Sequence, residues 1–132
     1  MYNLKITKEQ AEIMEKALDL FSRIGTGQFE EILRHPTWRK KMLTGEIKPS
    51  AIAIAKRNID GAKKLITKFD SGASMSIVGA SEDTRSAYDI LQVIRYSIWQ
   101  DSDNKEDTAH LVNAQKPMKL ADHSLPEMNK CD

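Results

Sequence analysis

The chain has 132 residues, 20 basic and 19 acidic, is 40% hydrophobic and 30% charged, and contains one cysteine. That length suits one domain with a modest core, the composition excludes a disordered chain, and no apolar run approaches the roughly 18 residues of a membrane span. Cys131 has no partner for an internal disulfide and residues 1–5 lack the basic and apolar blocks of a signal peptide, so a cytoplasmic protein is expected.

Leu4-Lys5-Ile6 reads as a short strand. Thr7 and Gln10 then form a T-x-x-Q capping box, which opens the first long helix. Ala11, Met14, Ala17, Leu18, Phe21 and Ile24 recur at steps of three and four and make its core face. The run Arg23-Ile24-Gly25-Thr26-Gly27-Gln28 interrupts it with two glycines, each unfavourable by roughly 1 kcal/mol in an exposed helix. Such a pair marks a helix end or a close approach by a ligand or another backbone. The stripe Phe21, Gly25, Gln28, Ile32 keeps its register, so a continuous helix ending at His35-Pro36 is expected; the alternative is a stop at Gly25 and a short helix over Gln28 to Leu33.

Residues 36–50 read as a connector with at most one helical turn. The second long helix is expected from Ser50 as cap to Phe69, burying Ile52, Ala55, Ile59, Ala62, Leu65, Ile66 and Phe69. Its basic face, with Lys56, Arg57, Lys63, Lys64 and Lys68, is expected in solvent. Asp70-Ser71-Gly72 is a turn, and Met75–Val78 a possible strand. Ser81 caps the third long helix, whose core stripe is Ala87, Ile90, Leu91, Ile94 and Ile98. Beside it run Arg85, Tyr88, Gln92, Arg95 and Trp99, spaced to project together. His110-Leu111-Val112 is another possible strand, and the end reads as a wrapping tail.

The expected fold is mainly α, a compact bundle of three principal helices with a few short strands, with α+β as the alternative. Residues 1–100 would be the helical core domain and 101–132 a C-terminal extended segment, packed on it or partly disordered. Charge is unevenly spread. Residues 36–69 hold nine basic and two acidic residues, residues 70–132 six and eleven, so the two parts can attract within one fold or across subunits.

Catalytic signatures are missing. There is no Walker loop, dinucleotide-binding glycine fingerprint, H-E-x-x-H or paired cysteines. The three histidines are scattered, and no serine stands in a nucleophile elbow. A protein that is not an enzyme and uses no metal or cofactor is therefore expected. The basic second helix and Trp38-Arg39-Lys40-Lys41 make weak nucleic-acid binding one alternative.

Ile6 to Ile13, Phe21 to Glu30 and Tyr88 to Tyr96 together resemble a family of small bacteriophage accessory proteins. The resemblance implies an anti-defence role in the host cytoplasm, for which one class, the immune-signal sponges, holds nucleotide second messengers in pockets of a homo-oligomer. Residue chemistry fits such binding without turnover: cations for phosphate, an aromatic face for a base, amides for base edges, and bare backbone where a ligand lies close. Candidate ligand-binding residues are thus Arg23, Gly25, Gly27 and Gln28 on the first helix and Tyr88, Gln92, Arg95 and Trp99 on the third. The expected partner is a nucleotide-derived small molecule. The other alternative is an inhibitor that docks on a host defence enzyme through Trp38 and the Lys63 and Lys64 face.

Overall fold

In a computed structural model of the chain, residues 1–131 are described; Asp132, the last residue of the expected C-terminal segment, lies outside the described residues. The helices are α1 (Lys8–Gly25), α2 (Pro36–Leu43), α3 (Pro49–Thr67), α4 (Glu82–Gln100) and the one-turn α5 (Lys105–Thr108), with 3-10 segments at Phe29–Arg34, Ile77–Gly79 and Val112–Ala114. The mainly helical class holds. No strand occurs among the described residues. Leu4–Ile6 runs without a partner, Met75 donates one backbone hydrogen bond to the Thr26 carbonyl (2.9 Å), and Leu111–Val112 enters a 3-10 turn.

The capping box at Thr7 forms as read: the Gln10 amide N–H donates to Thr7 Oγ1 (3.2 Å) and the Thr7 N–H to Gln10 Oε1 (2.8 Å). The expected continuous helix does not form. Gly27 adopts φ +94°, and the Gly27 and Gln28 N–H groups reach back to the carbonyls of Ile24 (3.0 Å) and Arg23 (2.8 Å). Those crossed bonds are a Schellman stop, which takes up two orphan carbonyls and turns the chain out of the helix. A preserved apolar register could not outweigh a glycine placed to accept left-handed dihedrals.

After the stop the chain makes the 3-10 segment and then α2, where a single helical turn at most was expected. Pro36 takes the first turn of α2, where its missing N–H is harmless, and His35 Nδ1 accepts from the Thr37 N–H (3.3 Å). Pro49 likewise opens α3 and Ser50 is not its cap. Lys68, in the left-handed region at φ 64°, ends that helix two residues before Phe69.

α1 packs along α4, whereas α3 leans on the 3-10 segment Phe29–Arg34. The compact bundle of three principal helices is therefore not the arrangement seen. The core is thin. Among the described residues its buried hydrophobic members are Leu91, Val93, Ile94 and four alanines, Ala11, Ala80, Ala87 and Ala121. Of the expected core of the first helix, Ala11 is buried, Met14, Leu18 and Ile24 are half-buried, and Ala17 and Phe21 are exposed.

The expected faces of α3 are also corrected. Leu65 is 85% and Ile66 71% exposed, and Ala62 lies open, while Lys63 is fully buried with Nζ donating to Glu30 Oε2 at 3.4 Å. Lys63 lies under the 3-10 segment because that segment is the surface α3 packs on, not a third long helix.

Candidate functional site

The expected ligand residues divide among three places. Arg95 of α4 donates from Nε to Glu15 Oε1 (3.3 Å) and sets Nη2 3.7 Å from Asp19 Oδ1. Arg23 of α1 donates from Nε to the other oxygen of the same carboxylate, Asp19 Oδ2, at 2.8 Å. Two guanidiniums thus converge, on a carboxylate of the protein itself. Arg23 Nη1 also donates to Gln28 Oε1 (3.1 Å), and Glu31, nearly buried, lies 3.8 Å from Arg23 and 3.2 Å from Arg34. The row Glu15, Arg95, Asp19, Arg23, Glu31, Arg34 alternates in sign and balances. Burial works against the Arg23 charge, but the hydrogen bond and charge of Asp19, with Glu31 and Tyr88 adding, hold its guanidinium above the ordinary arginine value.

Gln28 closes the helix stop. Its Nε2 donates to Thr26 Oγ1 (3.2 Å), whose hydroxyl in turn donates to the Arg23 carbonyl (2.9 Å). The glycines admit parts of the chain itself. A β-carbon on Gly25 would overlap the Thr84 side chain of α4, and one on Gly27 would lie 2.8 Å from the Phe69 ring. Gly25 also borders an apolar hollow of about 560 Å³ with Ala17, Leu20, Phe21, Ile24 and Thr84. The hollow offers no cation.

Gln92 and Trp99 turn away from this row. Gln92 Nε2 donates to the Met118 carbonyl (2.9 Å) and its Oε1 accepts from the Met118 N–H (3.0 Å), so the side-chain amide pairs with the tail as one strand pairs with another. Trp99 Nε1 donates to Thr108 Oγ1 (3.0 Å), and its ring stacks on Tyr96 with centroids 5.7 Å apart. Arg85 is taken by Glu82 (2.7 Å) and the Ala80 carbonyl (3.0 Å). The expected row on α4 is therefore divided: Arg95 goes to α1, Gln92 and Trp99 to the C-terminal segment, and Arg85 to partners at the start of α4 itself.

Residues that carry much of this geometry were not singled out from sequence. Asp19 had a readable signal, its position four residues before Arg23 on one helix face. Asp89 had none. It is buried on α4, and its carboxylate accepts from the N–H groups of Leu120 (2.9 and 3.1 Å) and Ala121 (2.9 Å).

The basic face of α3 is exposed as expected at Lys56, Arg57, Lys64 and Lys68. Lys63 is removed from it, Lys64 is bound to Asp70 at 2.7 Å, and Trp38 has Lys41 Nζ 5.7 Å from its ring centroid. Among the described residues no group of three or more His, Cys, Asp or Glu side chains is placed to hold a metal, and no helix is long and apolar enough to cross a membrane. Comparison of the chain with protein families, curated proteins and solved structures returned no match.

Proposed function

We propose that this chain is a binding protein with no reaction of its own, and that it works as a homo-oligomer. One observation carries the reading. The chain presents 9804 Å² of accessible surface, whereas a compact monomer of 14.9 kDa presents about 7,000 Å². Large apolar side chains contribute to the excess, among them Ile13, Phe21, Leu43, Ile54, Leu65 and Ile66. Exposed large apolar side chains in such number are what subunit contact covers.

Sequestration of a nucleotide-derived signal is the second reading, and the convergence of Arg23 and Arg95 on Asp19 favours it. A phosphate there would take the place of the Asp19 carboxylate as an acceptor of charge-assisted hydrogen bonds. Gln92 is already engaged by the tail. The docking and nucleic-acid alternatives have weaker support, because Lys63 and Lys64 are both paired.

Sedimentation across the micromolar range, with calorimetry on the same sample against cyclic nucleotides and cyclic ADP-ribose isomers, tests both readings. A mass that is a whole multiple of 14.9 kDa is expected, and a monomer at every concentration would overturn the first. Heat of binding lost in Arg95→Ala supports the second; an intact oligomer silent across the panel sinks it.

A further inference from the structure

Resting on the oligomer reading, we propose that the exposed face of α3 is covered by α3 of a second copy, the two helices antiparallel about a two-fold axis at Asn58. The residues that line this face are Ala51, Ile54, Asn58, Gly61 and Leu65, all exposed. Their spacing of three, four, three and four is a heptad seam, the pattern by which one helix meets another along its length. The opposite side of α3, with Lys63 and the half-buried Ile52 and Ile59, is the side turned to the rest of the chain. Among the described residues the seam therefore has no partner within its own subunit.

The order of sizes along the seam selects the direction. Small residues stand at 51 and 61, large ones at 54 and 65, and an amide at 58. Antiparallel pairing centred on Asn58 sets Leu65 against Ala51 of the second copy, and Ile54 at the level of Gly61 and Ala62. Space is open there, since a β-carbon on Gly61 would meet nothing within 4 Å. Parallel pairing would set glycine on glycine, leaving a gap at that level. Asn58 would face its own copy, and two amides related by a two-fold can exchange a donor and an acceptor reciprocally. A polar residue at one seam position is a device that fixes register.

A standard interface takes about 800 Å² from each partner; the surface excess of roughly 2,800 Å² over a compact monomer is spread over the chain, and α3 contributes Ile54, Leu65 and Ile66 to it. Arg57 flanks the seam one residue from the axis and would face its own copy, whereas Lys64, held by Asp70, would lie ~18 Å from its own copy. Added salt should therefore tighten the pairing by screening like charges, whereas an acidic partner on this face would be released by salt.

Cysteine pairing in a Cys131→Ser background tests the proposal, at exposed positions whose replacement leaves the subunit's packing unchanged. Mixed Ala51→Cys and Leu65→Cys proteins should form a heterodisulfide under mild oxidation. Ala51→Cys alone should not, because the two positions lie ~21 Å apart across the axis. Cross-linking of Ala51→Cys alone would overturn the antiparallel arrangement. An oligomeric mass with no cross-link in the mixture would overturn α3 pairing while leaving the oligomer reading intact, and a monomeric mass would remove both.

Discussion

Gly25 lacks a side chain where Thr84 of α4 occupies the space one would fill, and Gly27 lacks one where the chain turns left-handed under the Phe69 ring. The two positions answer different demands, a close helix crossing and a helix stop. Alanine at Gly25 should gain roughly 1 kcal/mol of helix propensity and lose more to overpacking, since an extra carbon in a filled site is unfavourable by about 1 to 3 kcal/mol. Gly25→Ala is therefore expected to be net destabilising by urea denaturation. Combined with Thr84→Ala, it should cost at least about 1 kcal/mol less than the sum of the two single changes, the coupling expected of touching residues. Strict additivity would show that the crossing does not depend on the missing side chain. The sequence made Gly25 and Gly27 stand out but could not tell these demands apart, because a Schellman stop and a helix crossing both require glycine and only the second needs a partner 59 positions away.

At the scale of elements, local chemistry was legible and distant pairing was not. The T-x-x-Q box and the serine cap of α4 formed where read, since each joins residues three apart. The C-terminal segment is attached differently. Glu82, Asp89 and Gln92 of α4 hold the backbone of Met118, Leu120, Ala121 and Asp122. Side chains that bind backbone leave no trace in the sequence of the segment they bind, so the row on α4 read as a ligand surface. Asp89→Ala should leave the buried Ala121 N–H without its acceptor. Amide exchange at Leu120 and Ala121 should then quicken at least tenfold while the α1 and α4 amides change little; equal loss everywhere would mean that the clamp is part of the global core. Arg85, and then the Asp122 N–H, hold the Glu82 carboxyl below its ordinary 4.5. Its contribution is complete above that value and is lost as pH falls through the lower folded one, so the clamp at Asp122 should open only in acid.

For the whole molecule, the segregation of charge along the chain largely survives folding. The basic middle third is joined to the acidic last third through Lys64 and Asp70, while Lys41 and Lys63 pair with Glu46 and Glu30. Apolar patterning shows the same thing. Leu65 and Ile66 sit at core spacing yet lie exposed, because periodicity reports an apolar face and not what that face packs against. A subunit whose core is four alanines and three larger side chains should draw much of its stability from association, and stability shared with association depends on concentration. For a dimer that unfolds to two chains, a tenfold rise in protein concentration adds about 1.4 kcal/mol, or roughly 2 to 4 °C in Tm for an assembly of this size. Scanning calorimetry should show that increment. Leu65→Asp, which places a charge on the seam of α3 and touches no core residue, should abolish it and lower Tm toward a concentration-independent value. A wild-type Tm that stays fixed across a hundredfold range would mean that the thin core stands alone, and the exposed face of α3 would then have no part in stability.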